Sequence, residues 1–186
     1  MRVLALDQSS AHTGYAVYED GKFIKKGCIN APMSQDLYQR TVRMANDIEA
    51  LINLEKPDFL VLEEIYGMPG RYTALKALSI VRGAIIIVWS RYSKTQPLVI
   101  PCSNARKAIG IKGNAKKDEV MSAVQSKFKI PMTNEHEADA IVLGVVGSDL
   151  LTTKNAVPKK NGKMLVNLPM SDTYTKGYAT KKSKIK

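Results

Sequence analysis

Cysteine is scarce in this chain. Cys28 and Cys102 are its only two in 186 residues, with neither CxxC spacing nor a nearby histidine. This argues against a disulfide framework or a cysteine-based zinc site and leaves two buried free thiols in a reducing compartment as the expectation. Long hydrophobic runs are missing too. The longest, Ala84 to Trp89, is followed at once by Ser90 and Arg91, whereas a membrane-spanning helix needs about 18 or more apolar residues. The opening Met1-Arg2-Val3-Leu4-Ala5-Leu6-Asp7 meets an acid too early for a signal-peptide core, so a cytoplasmic address without membrane is expected. Acids nearly vanish from residues 151–186, where nine Lys face Asp172 alone, while residues 1–150 hold 19 basic and 16 acidic residues. Most of the net charge of +11 therefore belongs to the tail. Such a tail suits a polyanion, or is merely solvated.

The length suits one domain plus an appendage. Residues 1–150 read as that domain and 151–186 as a basic C-terminal extension, which has room for a short strand pair around Met164 to Leu168. Arg2 to Leu6 reads as a buried strand. Thr13 to Tyr18 and Phe23 to Ile29 flank the Asp20-Gly21 turn as a hairpin. A helix is predicted from Ser34 to about Leu54, with Leu37, Met44, Ile48, Leu51 and Ile52 on one face. Phe59 to Leu62 reads as a strand ending in Glu63-Glu64, and a long helix follows from Thr73 to Arg91. Leu98 to Ile100 is a short strand. Helices are predicted from Ser103 to Ile109, from Lys116 to Lys127, and from a Thr133 or Asn134 cap through Asp149. The order β-β-β-α-β-α-β-α-α-α describes an α/β fold, a mixed five-stranded sheet with three antiparallel strands first and helices on both faces.

Three places set acids or imidazole where an apolar element ends or packs: Asp7, Glu63 with Glu64, and His136 with Asp139. His136 and Asp139 lie three apart and share one helical face. One Asp at a strand end is ordinarily a turn or cap residue, but three such sites ask for something positive. No Lys or Arg adjoins Asp7 in sequence, and a carboxylate beside a core is costly without compensation. A hard divalent cation, Mg²⁺ or Mn²⁺, would satisfy them. Two such ions about 4 Å apart hydrolyse phosphodiesters in known two-metal sites. Spacing alone leaves Glu63 and Glu64 as rivals. Glu135 and Glu137 are expected to face solvent at the helix start, where acids are favoured.

Leu4-Ala5-Leu6-Asp7-Gln8-Ser9-Ser10 with Thr13-Gly14-Tyr15-Ala16-Val17 resembles the opening of RuvC Holliday junction resolvases, of the RNase H-like superfamily. Gln8-Ser9 stands where that family's D-P-G-x-x-x-T-G pattern has Pro-Gly. Pro57 to Tyr66 resembles the second motif, whose first acid is catalytic, and Ala74-Leu75-Lys76 with Arg82-Gly83 fits the helix after it. Gly113-Asn114-Ala115-Lys116-Lys117-Asp118-Glu119-Val120 resembles G-x-A-x-K-x-x-V. His136-Glu137-Ala138-Asp139-Ala140 resembles the final D-x-x-D-A, with His in first place, as in some members. The likeness covers roughly residues 1–150. It implies catalytic metal ligands Asp7, Glu63, His136 and Asp139 and selects Glu63 over Glu64. His136 would bind Mn²⁺ more readily than Mg²⁺, or shuttle a proton.

It also implies branched DNA as partner, cut to leave 5′-phosphate and 3′-hydroxyl ends. Tyr66 stands where similar resolvases carry an aromatic that probes the junction, with Arg71 beside it. Lys107, Lys112, Lys116 and Lys117 are candidate phosphate contacts, Lys117 first because the resembling motif places a basic residue there. The apolar helix Thr73–Arg91 is a candidate homodimer seam, since a two-fold axis supplies two symmetric nicks. Gln8-Ser9 and the basic tail suggest a looser branch nuclease of phage or viral type, accepting three-way junctions, flaps or forks, in which case the address is the host cytoplasm. A non-catalytic binder of the same fold is the rival reading. An actin-like ATPase lacks its glycine-rich loops here, and an RNA-cleaving relative stays open.

Overall fold

An unbroken apolar run, Val3-Leu4-Ala5-Leu6, puts apolar side chains on both faces of the first strand, and both are buried. In the computed structural model, which describes residues 1–67 and 69–153 and the backbone of two short strands beyond, β1 spans Arg2–Asp7, β2 His12–Glu19 and β3 Lys22–Asn30. Asp20 (φ 48°) and Gly21 (φ 76°) make the β2–β3 turn in the left-handed region, as the Asp-Gly pair predicts. Then follow α1 (Leu37–Glu55), β4 (Phe59–Glu63), α2 (Tyr72–Tyr92), β5 (Leu98–Ile100), α3 (Cys102–Ala108), α4 (Lys117–Phe128) and α5 (Glu135–Thr152). The sheet order is β3-β2-β1-β4-β5. Strands β1, β2 and β3 are antiparallel, and β1, β4 and β5 are parallel. This is the mixed five-stranded sheet expected. In the extension, β6 (Ala156–Pro158) pairs with β7 (Met164–Val166). Its other residues beyond 153, including the remainder of the strand pair expected there, lie outside the described ones.

Caps differ from expectation in detail. Asp36, not Ser34, caps α1, accepting from Gln39 N at 2.8 Å while the Gln39 amide returns to Asp36 N. This reciprocal box satisfies two donors at once, which Ser34 is too early to do. Pro101 precedes α3, so that helix starts ahead of Ser103, because proline's fixed φ suits a helix entry. Asn134 caps α5 through Glu137 N.

Two cores flank the sheet. Leu4, Leu6, Leu60 and Leu62 pack with Met44, Ile48 and Ile52 of α1 and Val81, Ile85 and Trp89 of α2. Val3, Ala5 and Val61 face the other way, onto Ala138, Ile141 and Val142 of α5 and Val120 and Val124 of α4. This parity decides where the strand-end acids point. Asp7 continues the row of Val3 and Ala5, and Glu63 continues that of Val61, so both face α5. Glu64 falls on the opposite row, where its Oε1 meets Arg82 of α2 at 2.9 Å. Alternation turns Glu64 away from Asp7 and Glu63.

Helix α2 is long and apolar enough by composition to cross a membrane, and no other described helix is. One stripe of it is spent on the sheet, and Lys76 and Arg82 interrupt the rest. Its outer side leaves Ile80 and Ile86 each 41% exposed and Ile87 55%, more apolar surface than the monomer core uses.

Helix α5 crosses the sheet at almost no clearance. A Cβ on Gly14 would sit 2.0 Å from His136 O, and one on Gly144 would sit 2.3 Å from the Tyr18 ring. Backbone cannot yield as a flexible side chain can, so Gly14→Ala must lift the first turn of α5. It is expected to cost about 2–4 kcal/mol, seen as a melting temperature lower by about 5–15 °C. A variant melting like wild type would show that this approach is not tight.

Candidate metal-dependent active site

Parallel strands β1 and β4 run in register, Leu6 beside Leu62, so the next residues, Asp7 and Glu63, end side by side. Neighbouring strands lie only about 4.8 Å apart, and Asp7 is just 7% exposed. Two carboxyls so placed cannot both ionise cheaply. Burial pushes Asp7 up to about 7, opposed by its hydrogen bond with Glu63 and reinforced by the charge of Asp139. Burial, and then the Asp7 charge, push Glu63 up to about 9. The pair therefore shares a proton at neutral pH.

Gln8 fixes this geometry. Its Nε2 donates to Glu63 O at 2.7 Å, and Glu63 N donates to its Oε1 at 3.1 Å. The amide thus adds one more rung to the β1–β4 ladder, which a proline could not do. Ser9 laces the turn that follows. Its Oγ accepts from Ala11 N and His12 N, each at 3.2 Å, and its own N donates to Thr13 Oγ1. The departure from Pro-Gly is a built turn.

Helix α5 supplies the other two groups. His136 Nδ1 lies 2.7 Å from Asp7 Oδ2. Asp139, one turn on, is a charge neighbour of both Asp7 and Glu63. Its Oδ1 accepts from Arg106 Nε at 2.9 Å and its Oδ2 from Arg106 Nη2 at 2.6 Å, and the Cys102 thiol donates to Oδ1 at 3.2 Å. Asp7 thus touches both Glu63 and His136, while Asp139 neighbours the two acids through its charge. In this conformation they are turned to one another and to Arg106, and no three His, Cys, Asp or Glu among the described residues form a ready ion cage. The donor set nonetheless suits a divalent cation, being three carboxylates and one imidazole.

Arg106 was not legible in sequence. It reaches Asp139 from α3, a short helix 33 positions earlier in the chain, and no local spacing joins them. Glu137 corrects an expectation: it faces inward at 6% exposure instead of toward solvent. Lys26 Nζ meets its Oε2 at 2.5 Å, and Thr133 donates to the same oxygen through N and Oγ1. These charge-assisted contacts hold its carboxyl below the usual range despite burial and tie the start of α5 to β3.

The candidate DNA contacts lie outside this cluster, on the surface. Tyr66 is 58% exposed just past β4, and exposed Arg71 stands at the start of α2. Lys107, Lys112, Lys116 and Lys117 are all exposed around the α3–α4 loop. The Lys107 stem lies over Gly113, and Lys117 forms an ion pair with Glu135.

A family model described as "Crossover junction endodeoxyribonuclease RuvC" matches residues 3–147. A curated protein of that description from Prochlorococcus marinus is 29% identical over 156 residues, covering 79% of this chain and 97% of the relative. Among solved structures, Thermus thermophilus RuvC superposes with a TM-score of 0.66 at 17% identity, over 82% of this chain and 97% of that one. The same protein in complex with a Holliday junction substrate gives 0.65 at 17% identity, over 78% and 91%.

A pH signature follows from the two raised carboxyls. The folded state holds protons that the unfolded chain releases near pH 4, so their contribution to stability is full below that value. It is lost as pH rises toward 7 for Asp7 and 9 for Glu63. Without divalent ions, Glu63→Gln is expected to stabilise the protein by about 1–3 kcal/mol at pH 8 and by little at pH 5. Melting curves at the two pH values measure this, and an equal effect at both would contradict the shared proton.

Proposed function

The chain belongs to the crossover junction endodeoxyribonuclease RuvC family, and we propose that it is a metal-dependent, structure-specific endonuclease that cuts Holliday junctions and other branched DNA. The observation that carries this reading is the meeting of Asp7, Glu63, His136 and Asp139 from β1, β4 and α5 beside a lysine-rich surface. These four residues would hold Mg²⁺ or Mn²⁺, two ions per site, which when bound supply charge neutralisation at the phosphodiester and a water of lowered pKa. Asp7, in contact with both Glu63 and His136, would be the first of these ligands. Holding a cation there would require Asp7 and Glu63 to be free of protons, and Gln8 fixes the Glu63 backbone in place. Arg106 offsets the charge of Asp139, and a phosphate at the cluster would also attract its guanidinium. His136 can carry a proton at the attacking water or the leaving 3′ oxygen. Hydrolysis on this plan leaves 5′-phosphate and 3′-hydroxyl ends.

Substrate reading falls to the surface. Lys107, Lys112, Lys116 and Lys117 would hold backbone phosphates, with Lys117 exchanging Glu135 for DNA. Tyr66 would stack on an unpaired base at the branch, with Arg71 beside it. Three-way junctions, flaps and forks fit the same surface. The exposed isoleucines of α2 are proposed to meet a second copy about a two-fold axis, so that paired nicks fall symmetrically.

Cleavage of a synthetic four-way junction with Mg²⁺ or Mn²⁺ tests the proposal. Asp7→Asn should cut at least about 10³-fold more slowly while binding the junction normally. Undiminished cutting by that variant would remove the claim, and tight binding without cutting by wild type would favour a non-catalytic binder. Replacing any one contacting lysine by Ala should lower the salt slope of junction binding by about 1. Ile87→Glu should yield monomers by sedimentation, and a dimer that persists would place the seam elsewhere.

A further inference from the structure

His12 takes no part in the chemistry described, yet it stands against the cluster. The Ser9–Thr13 turn delivers it as the first residue of β2, paired across the sheet with Asn30 of β3. Its Nδ1 lies 2.8 Å from Asn30 Oδ1. Its ring stacks on His136, centroids 6.0 Å apart and planes 26° apart. His136 places Nδ1 2.7 Å from Asp7 Oδ2 and Nε2 3.8 Å from Glu135 Oε1. One contact to Asp7 leaves an imidazole free to swing about that contact, and a flat neighbour against its face removes this freedom. Both histidines, with Asn30, Thr133, Asn134 and Glu135, line a cleft of about 430 Å³ beside the acids.

We propose that His12 is a positioning residue for strand cleavage: anchored by Asn30, its ring holds the His136 ring in plane and keeps Nε2 toward the cleft. Residues that orient a ligating or proton-carrying histidine act through geometry, and their loss is felt in the chemical step more than in binding. The inference rests on the nuclease reading above, so its test includes a measurement on the protein without DNA or metal.

The full chain is compared with His12→Ala, His12→Phe and Asn30→Ala. Single-turnover cleavage of a four-way junction is timed with Mg²⁺, and junction affinity is measured with Ca²⁺ in its place. His12→Ala should slow cleavage about 10- to 100-fold with affinity within about twofold, and His12→Phe, which keeps a flat ring, should recover most of the rate. Asn30→Ala should fall between them. In the free protein, the ring ¹⁵N resonances of His136 should broaden or split in His12→Ala and stay single in His12→Phe. Wild-type cleavage by His12→Ala, equal loss in the Phe variant, weakened affinity with the rate intact, or unchanged His136 resonances would each overturn the proposal. A wild type that leaves the junction uncut sinks the nuclease reading instead, and the His136 spectra then still decide the role of His12.

Discussion

Two carboxyls forced together at the ends of neighbouring parallel strands are the constraint around which this molecule is arranged. Asp7 and Glu63 share one face of the sheet because β1 and β4 run in register, and they share low-dielectric space because α5 covers that face. Neither gains anything for folding by being there. Burial raises both toward or past neutrality, and carboxyls so perturbed, clustered on one face, mark a candidate functional site.

Much of the surrounding structure holds this arrangement still. Gln8 supplies a rung that the backbone lacks, Arg106 grips Asp139 with two nitrogens, and Lys26 ties Glu137 to β3. Each is a polar contact at the edge of an apolar core, where the low dielectric strengthens a satisfied pair and penalises an orphan. Glycine at position 14 contributes by what it omits, letting the start of α5 sit against β2. The imidazole that meets Asp7 is carried on that turn, so helix docking and site geometry are one event.

The surface divides by role. Exposed lysines gather on the α3–α4 side, while the outer side of α2 is apolar. Charged surface of the first kind suits phosphates, and exposed apolar surface of the second kind suits a protein contact. The match to the RuvC family model, along residues 3–147, spans both.

Periodicity and turn chemistry in the sequence alone determined the element order, the Asp20-Gly21 hairpin and the mixed sheet, because these depend on residues close along the chain. Resemblance to the RuvC motifs pointed to Asp7, Glu63, His136 and Asp139, while spacing alone left Glu64 as a rival to Glu63. What only the tertiary structure decided are the contacts between distant segments. Val61 had to be seen packing on α5 before strand parity could place Glu63 inside and Glu64 outside. Arg106 meets Asp139, Lys26 meets Glu137, and His12 meets His136 only because three helices and a hairpin fold onto one face. Spacing carries no record of such meetings, since a side chain's partner across a fold is set by packing and not by its neighbours in the chain.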